Sequence, residues 1–179
     1  MIIDTHAHFT PQAMLASLKS EADQFPNVEL LHQDDSYQLV FAGRSPTRPL
    51  SPKLRETEQR LTWMDEQSID QQIVGGWLDS FGYELPGKEG EAWSRFLNEF
   101  QMNGTYNNSR LTPLATVPLQ DGKRAAKVLE EALAGGFKGT MIGTQPKGNE
   151  GNLDDPELDP FWEAANDLGA TIYLHPMFG

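Results

Sequence analysis

The sequence predicts an α/β fold built on a parallel sheet, and three features carry that expectation. Short apolar strand candidates alternate with stretches in which apolar residues recur every three or four positions. Gly and Pro bound most of the strands, and each connection is long enough for the helical crossover that parallel strands need. The 179 residues fit one domain, and 38% hydrophobic residues with four Trp and nine Phe suit an ordered core.

The first strand runs from Ile2 to His8. No convincing helix is expected before Leu54; apolar patches at Val28 to Leu31 and Tyr37 to Phe41 suggest a small hairpin within an inserted segment, residues 10–52. Gly43 to Pro52, rich in Ser and Pro, reads as an ordered loop carrying Arg44 and Arg48. Leu54, Leu61 and Met64 mark the first helix, followed by a strand at Ile69 to Val74. Ala92, Trp93, Phe96, Leu97 and Phe100 form a helical stripe before the strand Leu111 to Val117. The next stripe, Ala125, Val128, Leu129, Ala132 and Leu133, ends at Gly135-Gly136 as a left-handed cap would, ahead of the strand Lys138 to Ile142. Asp155-Pro156 supplies an N-cap and first position for the last helix, whose buried face is Leu158, Phe161, Trp162 and Ala165. Ala170 to Leu174 is the fifth strand and meets His175. A doubly wound sheet and a (β/α)₈ barrel both begin this way, and five units fall short of a barrel's eight.

A formal charge of -12 argues against nucleic acid or an anionic membrane as partner. With zero cysteines, disulfides, iron-sulfur clusters, thiolate zinc sites and Cys nucleophiles are excluded, so a metal must be held by His and carboxylate. No export signal precedes Ile2 and no stretch approaches the ~20 apolar residues of a span, so a cytoplasmic protein is expected. No Gly-rich phosphate loop is present.

Three of the four histidines end predicted parallel strands. Residues two apart on a strand point the same way, so His6 and His8 should project together with Asp4. In "ATIYLHP", Pro176 closes the strand directly after His175. Parallel strands align their carboxyl ends on one rim, where α/β folds bind ligands, and three neutral imidazoles there could share one divalent ion. The plain alternative is three strand-end histidines bonded to backbone. His32, in the hairpin, reads as a surface residue. Three ligands and an open position would suit catalytic zinc.

"IDTHAHF", "TRP" at 47–49, "MDEQSID" at 64–70, "FGYELPGKEGEAW" from 81, "VPLQD" at 117–121 and "NLDDPELDPFWEAANDLGATIYLHP" to 176 resemble, in this order and spacing, the aminocarboxymuconate-semialdehyde decarboxylase branch of the amidohydrolase superfamily. The resemblance covers the whole chain and the first half of a family member. It implies a (β/α)₈ TIM barrel, of which residues 1–179 hold the first five βα units plus the insertion after strand one. It further implies one divalent ion, most often zinc, bound by His6, His8 and His175; the water-activating histidine and the last ligand, an aspartate, would fall after residue 179, so no catalytic residue is assigned within the chain. Arg48 matches the arginine that holds the substrate carboxylate, a role suited to a planar fork of donors; a solvated loop arginine is the alternative. Trp77, Phe81 and Tyr83 fall in the loop after the second strand of the predicted sheet and either wall a planar acid or simply pack. Met177 stands where the best-known members have Trp, so their substrate does not carry over. The implied activity is non-oxidative decarboxylation of an unsaturated or aromatic carboxylic acid. A hydrolase or hydratase of the same superfamily, or an inactive half-barrel, are the alternatives. A homodimer follows only by family analogy.

Overall fold

In the computed structural model, residues 1–148 and 150–177 are described. They form, in chain order, β1 (Ile3–His8), α1 (Gln12–Ser20), β2 (Val28–Gln33), β3 (Ser36–Phe41), α2 (Thr57–Glu66), β4 (Gln71–Gly75), α3 (Gly87–Thr105), β5 (Leu111–Pro113), α4 (Gly122–Ala134), β6 (Gly139–Gly143), α5 (Asp159–Asp167) and β7 (Thr171–His175). β1, β4 and β5 pair in parallel, as do β6 and β7. A single parallel bridge between Ala115 and Thr140 joins the two groups, with Ala115 N–H on the Gly139 carbonyl at 2.9 Å. The order β1-β4-β5-β6-β7 is thus one parallel run of five strands. β2 and β3 make the expected antiparallel hairpin beside it.

Curvature separates the two candidate architectures. In a flat sheet the first and fifth strands would lie about 19 Å apart, four spacings of ~4.8 Å. Here the His6 ring on β1 lies 4.9 Å from the His175 ring on β7 and 5.4 Å from the Tyr173 ring. The sheet therefore curls through a barrel-like arc, with helices outside, and is not the flat core of a doubly wound fold.

Two packed regions hold the arc. Val128 and Leu129 of α4 and Phe161 and Ala165 of α5 bury against Met141 and Ile142 of β6. Met14, Leu15 and Leu18 of α1 pack with Val28, Leu39 and Phe41 of the hairpin and with Trp93, Phe96 and Leu97 of α3. α1 corrects the expectation of a helix-free insertion. Pro11 precedes it without a side-chain cap bond, and its nine residues draw their stability from that buried stripe. Asp155 does cap, accepting the Glu157 N–H at 3.0 Å, but what it starts is a short 3₁₀ turn, Pro156–Leu158, and α5 itself begins only at Asp159 with Leu158 at its N-cap. Gly122 is required where α4 begins beneath that turn, since a Cβ there would strike the Glu157 carbonyl oxygen. Gly136, at φ 105°, provides the left-handed exit from α4. No helix among the described residues is long and apolar enough to cross a membrane.

Between α3 and α4 a buried carboxylate ties the two helices. Glu91 accepts from Arg95 at 2.6 Å, from Lys127 at 3.1 Å and from Arg124. Burial by itself would raise its pKa, but these donors outweigh that and hold it at about 2, below the ordinary 4.5. Because the folded value is depressed, the stability it contributes is complete above pH 4.5 and is lost as pH falls toward 2. We expect Glu91→Gln to cost ~1–3 kcal/mol at pH 7 in urea unfolding. The difference from wild type should shrink steadily below pH 4.5; a difference independent of pH would contradict the role given to these donors.

Candidate metal centre

The rim begins with an irregularity in β1. Asp4 pairs with Gln72 and Ala7 with Val74, so Thr5 and His6 together face the single residue Ile73. Such a bulge re-aims a side chain while the strand stays in the sheet. On its outer side β1 buries Ala7 against Met64 of α2 and Val74 of β4. His6 and His8 turn to the concave side, with ring centroids 5.1 Å apart. β7 brings His175 opposite them, 4.9 Å from the His6 ring and 5.0 Å from the His8 ring.

The local chemistry selects which ring nitrogens keep a lone pair. His8 Nδ1 lies 2.9 Å from the Gly76 carbonyl oxygen and His175 Nδ1 lies 2.8 Å from that of Pro176. A carbonyl accepts only, so in both rings Nδ1 carries the proton and Nε2 keeps its lone pair. Burial lowers the His8 pKa, and nearby His175, His6 and Arg60 push the same way against the opposing Gly76 bond. The neutral form that can bind a cation is therefore favoured.

One ligand atom from each histidine lies within 4.8 Å of the other two. Three atoms so spaced always leave a point within about 2.8 Å of each, so shifts below an ångström bring it to the ~2.0–2.1 Å of a zinc-imidazole bond. The donor set fits one borderline divalent ion. No thiolate competes with it, as the chain lacks cysteine.

The remaining residues singled out from the sequence are placed as follows. Arg48 forms a two-pronged pair with Asp79, Nε to Oδ2 at 3.0 Å and Nη2 to Oδ1 at 2.7 Å. Neighbouring Thr47, with Asp79 and Met177, borders a cleft of about 170 Å³ that reaches the chain just beyond His175. Trp77 and Phe81 are buried, 6% and 1% exposed, because a 3₁₀ turn at Leu78–Ser80 folds their loop inward. Phe81 lies within packing distance of Gly76, whose carbonyl orients His8. Tyr83 is buried too, and its hydroxyl accepts the Gly143 N–H at 3.2 Å. His32 stacks on Tyr37 at 4.2 Å within the hairpin. Two residues that went unremarked in the sequence, Arg60 and Gln72, are buried behind the histidine pair. The available signal was Arg60 at four residues before Met64, on the same face of α2.

A curled half-barrel with three imidazoles on its carboxyl rim defines a metal-dependent enzyme scaffold of the barrel type. The amidohydrolase family model matches residues 3–179. The chain belongs to the amidohydrolase family. It is similar to 2-amino-3-carboxymuconate-6-semialdehyde decarboxylase of Dictyostelium discoideum, 24% identical over 176 residues, covering 97% of this chain and 48% of that protein. Its fold is similar to that of IDCase from Metarhizium anisopliae, with TM-score 0.74 and 23% identity over 100% of this chain and 51% of the other. It is also similar to a dihydroxybenzoic acid decarboxylase from Polaromonas sp. JS666 with bound manganese, with TM-score 0.72 and 21% identity over 100% and 51%. The chain spans about half the length of the first curated relative it matches, at 48%.

Proposed function

We propose that the complete protein is a metal-dependent, non-oxidative decarboxylase of an unsaturated or aromatic carboxylic acid, to which this chain supplies three metal ligands and a carboxylate anchor. The observation that carries the reading is the convergence of His6, His8 and His175 on one rim. The reaction class is supported by the decarboxylases among similar proteins. Zinc is the proposed ion because three imidazole donors suit a borderline cation; manganese, present in the Polaromonas neighbour, is its competitor. When bound, the ion supplies Lewis acidity toward a substrate oxygen or a water.

The chain's own residues contribute orientation. His8 and His175 leave Nε2 as the ring nitrogen with a lone pair for the ion, because the Gly76 and Pro176 carbonyls hold Nδ1. Arg48 is the proposed anchor for the substrate carboxylate, with Asp79 holding its guanidinium plane in place. Trp77 and Phe81 are proposed to serve substrate binding through the loop they pack beneath, Phe81 by supporting Gly76. Arg48→Lys in the complete enzyme should raise KM by about 10- to 100-fold with a smaller change in kcat, since a point charge replaces a two-pronged donor. An unchanged kcat/KM would remove Arg48 from the binding role.

The reading is tested by offering dihydroxybenzoates and conjugated dicarboxylic acids to the complete zinc- or manganese-loaded protein and measuring CO₂. Release of CO₂ is expected. Turnover of lactones, amides or conjugated double bonds without CO₂ would replace the proposal with the hydrolase or hydratase alternative.

A further inference from the structure

A row of polar groups, buried at Arg60 and Gln72 and partly exposed at Asp4, runs from α2 to β1. Arg60, 7% exposed, donates from Nη1 to Gln72 Oε1 at 2.9 Å and from Nη2 to the His8 carbonyl oxygen. Gln72, 2% exposed, donates from Nε2 to Asp4 Oδ2 at 2.8 Å. Asp4 Oδ1 in turn accepts the backbone N–H of His6 at 3.1 Å. One relay thus holds a backbone group of each histidine, the carbonyl of His8 and the amide of His6.

The polarity of this row allows one arrangement. A guanidinium only donates and a carboxylate only accepts, so the amide between them must turn its oxygen to Arg60 and its nitrogen to Asp4. The Arg60 guanidinium also lies over the Phe9 ring, 5.2 Å from its centre, which fixes its plane. The position of the relay along β1 is informative. The β1–β4 register breaks between Asp4 and Ala7, where the first ligand sits, so the regular ladder does not define His6. Polar side chains take over that task. A buried arginine is costly to retain, and one that merely packed α2 on the sheet would be replaced by an apolar residue at little loss.

We propose that Arg60, Gln72 and Asp4 are positioning residues that set the backbone of β1 so that the His6 and His8 imidazoles meet on one ion. The inference rests on reading these histidines as metal ligands. Cobalt(II), a spectroscopic substitute for zinc, is titrated into the full chain and followed by its visible absorption, with thermal melting of the metal-free variants as the fold control. Arg60→Met and Gln72→Leu should each weaken cobalt binding by about 10- to 100-fold. The double variant should bind no more weakly than the worse single one, because both cut the same relay. Arg60→Lys should recover part of the loss. Leu129→Ala, in the distant α4 core, should lower the melting temperature yet leave cobalt affinity within about twofold. If Arg60→Met does not fold, Gln72→Leu and Asp4→Asn decide. Wild type that takes up no cobalt overturns the metal reading and this inference with it; wild type that binds while folded relay variants bind equally well overturns the relay alone.

Discussion

Replacing His175 with alanine is expected to weaken zinc binding by roughly 10²- to 10³-fold, since about 10–16 kcal/mol of binding energy is shared among four ligands in a structural zinc site. His175 is the sole imidazole that β7 contributes, and without it the ion would be left to two rings on one strand. The fold should survive. His175 sits at the end of β7, and among the described residues its ring hydrogen-bonds the adjacent Pro176 carbonyl alone, so its removal opens no core cavity. Equilibrium dialysis with elemental quantification of bound zinc reads the effect, and far-UV circular dichroism confirms the fold. His32→Ala provides the comparison, because its ring stacks on Tyr37 in the hairpin and should leave zinc stoichiometry unchanged. Equal affinity for His175→Ala and wild type would show that β7 takes no part in the site.

The largest stability effect is expected at Trp93. Its side chain is fully buried, and it meets the rings of Phe25 at 5.3 Å, Phe96 at 5.4 Å and Phe41 at 5.7 Å. Its indole N–H donates to the Ser80 carbonyl at 2.7 Å. One residue of α3 thereby joins the hairpin to the turn that buries Trp77 and Phe81. Trp93→Ala should cost ~3–5 kcal/mol in urea unfolding at neutral pH, from lost burial together with the cavity left behind. Trp93→Phe keeps most of the aromatic packing but leaves the Ser80 oxygen without its donor, so a smaller loss of ~1–3 kcal/mol is expected. A loss below about 1 kcal/mol for the alanine variant would mean that the hairpin and the barrel arc are not coupled through this ring.

The strands and most helices were legible because their burial repeats with a simple period. The stripe from Ala92 to Phe100 lies within α3, and the apolar run ending at His175 is β7. α1 escaped notice because only Met14, Leu15 and Leu18 mark it, after a proline and without a capping side chain. The third strand of the parallel run was expected from Leu111 to Val117. It is shorter, because regular pairing ends at Pro113 and only Ala115 bridges onward to Thr140.

At the rim, the three histidines could be read from their places at strand ends. The bulge at Thr5 and His6 could not, since nothing in "DTHAH" distinguishes a regular strand from one that gains a residue against its neighbour. The loop aromatics show a related gap. Residue type alone does not reveal that a 3₁₀ turn carries Trp77 and Phe81 into the interior. Arg60 and Gln72 were hidden for the opposite reason. Arginine and glutamine are read as solvent-facing by default, and only the paired geometry of donor and acceptor explains their burial.

X-ray absorption at the zinc edge of the zinc-loaded chain tests the convergence of the three rings most directly. Three imidazole nitrogens at about 2.0–2.1 Å, with the outer-shell scattering of intact rings, are the expected result. A first shell of water oxygens, or one fitted by a single imidazole, would contradict the sharing of one ion by His6, His8 and His175.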